Sequence, residues 1–188
     1  MDGDYVWFGT DRGLNRYDKR IDSWAVRGKK DGLPSNNVTT IAVDQEYIWV
    51  GTGKEKRRFG RRIFDFRERK PGEGGVSRYH RATDSWNNYS TKDGLVGEEI
   101  SVIAVDEDVV WFGTKSSGVS VFSKTDQAFV KTYTKTDLLV SDMIRAIVVD
   151  GNQVWFGTAN GGAQRYIKSV NTWINYTTKE GLHSNHIT

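Results

Sequence analysis

The five residues Val6-Trp7-Phe8-Gly9-Thr10 return three times, as Ile48-Trp49-Val50-Gly51-Thr52, Val110-Trp111-Phe112-Gly113-Thr114 and Val154-Trp155-Phe156-Gly157-Thr158. The tryptophans stand 42, 62 and 44 residues apart, and discounting a basic segment of about 20 residues after Trp49 brings the middle interval into line. Other positions keep the same phase. Asp2, Asp44, Asp106 and Asp150 each lie five residues before a tryptophan. The run Gly13-Leu14-Asn15-Arg16-Tyr17 has counterparts at 75–79, 118–122 and 162–166. A second aromatic follows at Trp24, Trp86, Phe129 and Trp173, and then a turn signal: Lys30-Asp31-Gly32-Leu33, Lys92-Asp93-Gly94-Leu95, Thr136-Asp137-Leu138-Leu139 and Lys179-Glu180-Gly181-Leu182. Internal self-similarity at such a period sets the architecture before any single element is assigned.

Each unit divides into four short strands: residues 38–43, 100–105 and 144–149 as the first, the Trp-x-Gly-Thr run as the second, the Arg-Tyr run as the third and the closing aromatic in the fourth. They are rich in β-branched and aromatic residues, are bounded by Asp and Gly turns, and show no sustained 3.6-residue period, so no helices are expected. Runs such as Val109-Val110-Trp111-Phe112 are apolar on both faces of the pleat. A half-exposed sheet does not tolerate that; a sheet packed between two neighbours does. Four-stranded antiparallel blades of about 40 to 45 residues arranged around an axis make an all-β chain, a β-propeller. Residues 1–188 form a single propeller segment anchored at Trp7, Trp49, Trp111 and Trp155, with residues 53–74 a basic loop insertion in the second repeat. Because the tryptophans follow the phase of the repeat, they are assigned to the framework and not to carbohydrate stacking or a methyl-lysine cage.

The 188 residues contain no cysteine, which excludes disulfides, thiolate nucleophiles and Cys-based zinc sites. No apolar run approaches the roughly 18 residues of a membrane span. Net charge is +3, but residues 53–74 alone carry nine basic and four acidic groups, a local +5 that leaves −2 for the rest. The basic character is one patch, so a nucleic-acid partner is not expected and an electrostatic partner is sought there.

Trp-Phe-Gly-Thr followed by Gly-Leu-x-Arg-Tyr-Asp, an aromatic, Asp-Gly-Leu and a Val-x-x-Ile-x-x-Asp strand resembles the two-component regulator propeller repeat of bacterial sensor proteins. That resemblance implies a ligand-sensing module without enzymatic activity, in a periplasmic or extracellular domain, usually within a larger array joined to a membrane helix and a histidine kinase. It implies a small molecule or glycan as the ligand. An interaction scaffold using an open strand edge and the insertion, and a metal-dependent propeller lyase, are the alternatives.

Asp2 matches Asp44, while Ile187-Thr188 match Val38-Thr39. One innermost strand is therefore expected to be incomplete, and its bare edge would invite a protein partner or self-association. A piece of a longer propeller is the favoured explanation, beside a four-bladed ring with imperfect closure and half of a ring built from two copies.

Two loop sites are candidates for ligand binding. In a four-stranded blade the loop between strands two and three shares a face with the loop leading to the next blade. The insertion and the Asp-Gly-Leu loops therefore share a face, and long insertions on rigid scaffolds tend to carry function. Within the insertion Arg57, Arg58, Arg61 and Arg62 interleave with Phe64 and Phe66, a composition suited to anionic groups, or else to clipping a hairpin onto the propeller. Ahead of each first strand stand Asn36, Glu98, Asp142 and Asn185, either an oxygen-rich axial mouth for a hard cation or a polar ligand, or turn residues that satisfy backbone donors. His80, His183 and His186 lack metal-ligand spacing, and no cofactor, metal or catalytic constellation is expected.

Overall fold

The computed structural model describes residues 3–55 and 74–188. Four antiparallel sheets succeed one another along the chain. The first is three-stranded: β1 (Tyr5–Thr10), β2 (Gly13–Asp18) and β3 (Ser23–Arg27). The second runs β4 (Asn37–Val43), β5 (Tyr47–Gly53), β6 (Gly75–His80), β7 (Ser85–Tyr89); the third β8 (Ile100–Val105), β9 (Val109–Thr114), β10 (Val119–Ser123), β11 (Ala128–Tyr133). The fourth runs β12 (Ile144–Asp150), β13 (Gln153–Thr158), β14 (Ala163–Ile167), β15 (Thr172–Tyr176). Innermost strands meet in succession, β1 with β4, β4 with β8 and β8 with β12, whereas β12 and β1 form no comparable packing. The chain is a β-propeller arc of four blades, the first lacking its innermost strand among the described residues.

The repeat explains its own packing. Trp7, Trp49 and Trp111 reach forward to the following blade: Trp7 lies 5.6 Å from Tyr79, Trp49 5.5 Å from Phe112 and 5.1 Å from Phe122, and Trp111 5.7 Å from Phe156 and 6.0 Å from Tyr166. The edge-on contacts of Trp49 and Trp111 follow the ring quadrupoles, and both tryptophans are buried. The glycine after each tryptophan pair exists for the next blade's innermost strand. A Cβ on Gly113 would lie 2.6 Å from Ile144 Cγ2, and one on Gly51 would lie 2.7 Å from Ile100 Cγ2. The close neighbour is thus a β-branched side chain and not a large ring or backbone.

Innermost strands are also joined at bulges. Register shifts at Val38/Thr40 and Ile100/Val102 leave Thr39 and Ser101 outside the ladder, and their hydroxyls donate to the carbonyls of Ile100 and Ile144, each at 2.7 Å. The residue that breaks the ladder therefore links the blades.

Three single turns of 3-10 helix, at Lys29–Asp31, Thr91–Asp93 and Lys168–Val170, depart from the expectation of no helix. The first two arise because the Asp of the Asp-Gly-Leu signal turns back to its own loop: Asp93 accepts from Ser90 N at 2.8 Å and Asp31 from Gly28 N at 2.8 Å. The following Gly32 and Gly94 take positive φ, and Leu33 and Leu95 drop into the core.

Candidate functional site

The second-to-third-strand turns are pinned by the threonine of Trp-x-Gly-Thr. Thr114 Oγ1 donates to Gly118 O at 2.9 Å and accepts from Ser117 N at 2.9 Å; Thr158 does the same with Gly162 and Gly161. In the second blade Thr52 Oγ1 donates to Gly75 O at 3.1 Å, across the whole insertion. The insertion therefore leaves and re-enters at the point where its sisters make a short turn. Residues 56–73, with Arg57, Arg58, Arg61, Arg62, Phe64 and Phe66, lie outside the described residues.

At the base of the insertion a cleft of about 810 Å³ opens between blades two and three. Its walls are Lys54 and Gly74 from the insertion's two ends, Asn88 and Tyr89 from the end of β7, Pro34 and residues 90–92 from connecting loops, and Glu98, Glu99, Ser116 and Ser117 from the side of the neighbouring blade. The expected sharing of one face by insertion and Asp-Gly-Leu loops is what brings these together. Lys54 Nζ sits 3.1 Å from Glu99 Oε2, and Asn37 Nδ2 donates to Lys54 O at 2.8 Å, holding the exit of the insertion against the blade. Tyr89 lines the cleft with its ring among Trp49, Phe122 and Phe129, and burial raises its phenol pKa.

The four residues ahead of the innermost strands share one contact. Asn36 Oδ1 accepts from Lys29 N at 2.7 Å, Glu98 Oε1 from Thr91 N at 3.4 Å, Asp142 Oδ1 from Lys135 N at 2.6 Å and Asn185 Oδ1 from Thr178 N at 2.8 Å. Each reaches a backbone donor seven residues earlier and closes its connecting loop. Of the four, Glu98 lines the cleft beside the insertion. Among the described residues no three Asp, Glu or His side chains gather closely enough to hold a metal ion.

A second cleft, of about 840 Å³, lies on the opposite face, lined by Asp44, Glu46, Arg81, Asp106, Glu107 and Lys124. Asp44, Asp106 and Lys124 serve the junctions between blades. Lys124 Nζ pairs with Asp44 Oδ2 and Lys168 Nζ with Asp106 Oδ2, both at 2.8 Å, while Arg81 donates to the carbonyls of Asp44 and Gln45. Burial alone would raise the Asp106 pKa, but the Lys168 ammonium, with the Glu107 and Trp111 N–H donors, holds it below the ordinary value. The phased aspartates thus have phased cations, at Lys19, Arg81, Lys124 and Lys168, two residues after each third-strand aromatic. That pattern was available in the sequence and identifies this inter-blade ion pair.

Arg78 also emerges only in the structure. Its guanidinium lies 4.5 Å from the Tyr47 ring centroid, 5.4 Å from Trp49 and 5.5 Å from Phe122, and donates to Gln127 Oε1 of the next blade. Buried in an aromatic box, it stabilises a junction by cation–π attraction.

The class of protein is thus a β-propeller with an elaborated loop face. Residues 32–54 match the two component regulator propeller family. The fold is similar to the extracellular domain of the putative hybrid two component system BT3049 from B. thetaiotaomicron, at 16% identity and TM-score 0.71, covering 93% of this chain and 23% of that one. It is similar also to the extracellular domain of the putative hybrid two component system BT4673 of the same organism, at 18% identity and TM-score 0.69, covering 92% and 23%. The computationally designed Ika4 protein shares the fold at 15% identity and TM-score 0.61, covering 87% of this chain and 85% of the designed one. The chain spans under a quarter of the length of the two extracellular domains. No curated protein matches the sequence.

Proposed function

We propose that this chain is a non-enzymatic, ligand-sensing propeller module of a bacterial two-component signalling protein, placed in the periplasm or outside the cell, and that it binds its ligand on the loop face. The observation that carries this reading is the cleft at the root of the basic insertion, walled by Lys54, Glu98 and Glu99 and built on two rigid blades. A concave site of several hundred Å³ with a few convergent polar groups is the usual form of a small-molecule pocket. The cleft supplies carboxylates and hydroxyls suited to a sugar, and Arg57, Arg58, Arg61 and Arg62 would bring cations for its acidic substituents, with Phe64 and Phe66 offering ring faces.

A thermal-shift and calorimetric screen against neutral and sulfated or uronic-acid oligosaccharides tests the reading. A ligand should raise Tm in proportion to the logarithm of its concentration, and Lys54→Ala with Arg61→Ala and Arg62→Ala should abolish the shift while leaving the apo Tm in place. Equal binding by a variant lacking residues 56–73 and Lys54 would move the site elsewhere.

A further inference from the structure

Between blades two and three, and again between three and four, a tyrosine ring from the outermost strand of one blade packs against the next. Tyr89 lies 6.4 Å from Trp49, 5.4 Å from Phe122 and 5.7 Å from Phe129. Tyr133 lies 6.2 Å from Trp111, 6.0 Å from Tyr166 and 4.9 Å from Trp173. Each tyrosine thus sits among the second-strand tryptophan of its own blade and the third- and fourth-strand aromatics of the following one. Ladder register identifies the matching position between blades one and two: Val76 pairs with Tyr89, Val119 with Tyr133, and Leu14 with Arg27. Arginine stands where the other two carry a phenol.

The three receiving rings are nevertheless in place. Trp7 lies 5.6 Å from Tyr79 and 6.5 Å from Trp86, and Tyr79 lies 4.9 Å from Trp86. The Arg27 guanidinium lies 4.4 Å from the Trp86 centroid, and a cavity of about 240 Å³ remains beside it, walled by these rings with Leu14, Arg16 and Ala25. No innermost strand contributes a wall, and none is shared with the cleft at the insertion. Cavities of about 150 Å³ admit benzene, so a monocyclic guest fits. The polar groups left free are cationic. Arg27 Nε is buried without a hydrogen-bond partner among the described residues. Arg16 stands where Arg78 donates to Gln127, but the matching Asp84 accepts from Tyr79 Oη at 2.8 Å, and Arg16 faces the rings of Tyr5 at 4.7 Å and Trp7 at 5.7 Å. Asp31, the other acid of the wall, accepts from Gly28 N at 2.8 Å. Both carboxylates are engaged within the fold, whereas a buried guanidinium N–H lacks an acceptor, which a guest carboxylate would supply in a charge-assisted bond. A cationic guest is disfavoured because the two arginines already occupy ring faces.

We propose that the groove between blades one and two is a second binding site, for a small monocyclic aromatic acid. Its ring takes the place that Tyr89 and Tyr133 fill at the sister junctions, and its carboxylate pairs with Arg27 and Arg16. The site is independent of the sugar reading of the loop-face cleft.

Calorimetry and tryptophan fluorescence quenching with 4-hydroxyphenylacetate test this. The wild-type chain should bind it, while tyramine, an amine on the same phenol ring, and acetate, a carboxylate without a ring, should each bind at least roughly tenfold more weakly. Arg27→Gln should weaken binding by roughly tenfold or more. Arg27→Tyr should raise the apo Tm and abolish binding, because its own ring fills the space. Lys54→Ala should leave the affinity unchanged, which separates this site from the cleft. Absence of binding by the wild-type chain at millimolar concentration overturns the proposal, as does equal binding of tyramine or acetate. Wild-type affinity in Arg27→Tyr, or loss of binding in Lys54→Ala, places the guest elsewhere and overturns it too. Should Arg27→Tyr fail to fold, Arg27→Gln decides, and an unchanged affinity there overturns the assignment.

Discussion

Trp111 and Trp24 both belong to the phased aromatic set of the repeat, yet Trp111 is 3% exposed and Trp24 is 59% exposed. The difference lies in what stands next to each. Between blades three and four, Trp111 and Tyr133 meet Phe156, Tyr166 and Trp173, Lys168 meets Asp106, and Ile144 lies over Gly113. At the leading face of blade one the triad of Phe8, Tyr17 and Trp24 is assembled with the same internal spacing and nothing described covers it. The motif therefore encodes half of an interface. Its burial is a property of the pair of blades.

The largest test of this contrast is truncation of the two tryptophans. Trp111→Ala should cost about 3 to 5 kcal/mol in urea unfolding. Trp24→Ala should cost under about 1 kcal/mol. Equal losses would mean that the open face is covered after all. Next in size is the glycine that admits the following blade. Gly113→Ala forces a methyl into Ile144 between two fixed blades and should cost about 1 to 3 kcal/mol. Gly157→Ala meets Ile187 in the same way, with Cγ2 at 2.7 Å, and should cost a comparable amount.

The ion pairs sharpen the same comparison through pH. Asp106 titrates lower in the folded protein than unfolded, so its contribution is fully present above about pH 4 and disappears as pH falls through the lower folded value. Asp106→Asn should flatten the acid limb of the stability curve over that interval. At the other extreme, burial raises the Tyr133 pKa, and that of Tyr166 as well. Their contribution is complete below about pH 10 and is lost as pH climbs through the raised values, so a Tyr133→Phe variant should unfold later in alkali than the parent. The smallest effect belongs to the insertion. Replacing residues 56–73 by a short turn leaves the Thr52 to Gly75 bond in place and should shift stability by about 1 kcal/mol or less. A lost β spectrum would show that the segment is part of the core.

Much of this architecture could be read from a single chain because repetition converts one weak pattern into four agreeing ones. The strands and the phase of the blades followed from spacing. The short 3-10 turns did not, because they depend on Asp31 and Asp93 folding back onto their own backbone over a few residues, too short a stretch to show a helical period. The site was less legible. Asn36, Glu98, Asp142 and Asn185 are the same residue types whether they close a loop or bind a solute, and only their hydrogen-bond partners distinguish the two. The Arg78 box was hidden because its walls come from positions as distant as Tyr47 and Phe122.

By itself the sequence determined the unit: its strands, its order and its two sticky faces, since backbone hydrogen bonding and alternating burial act between residues close along the chain. Only the tertiary structure decided which faces are closed and where a cleft remains. Those outcomes depend on the angle and distance at which one sheet meets the next, which side chains set collectively, and not on the content of any one repeat.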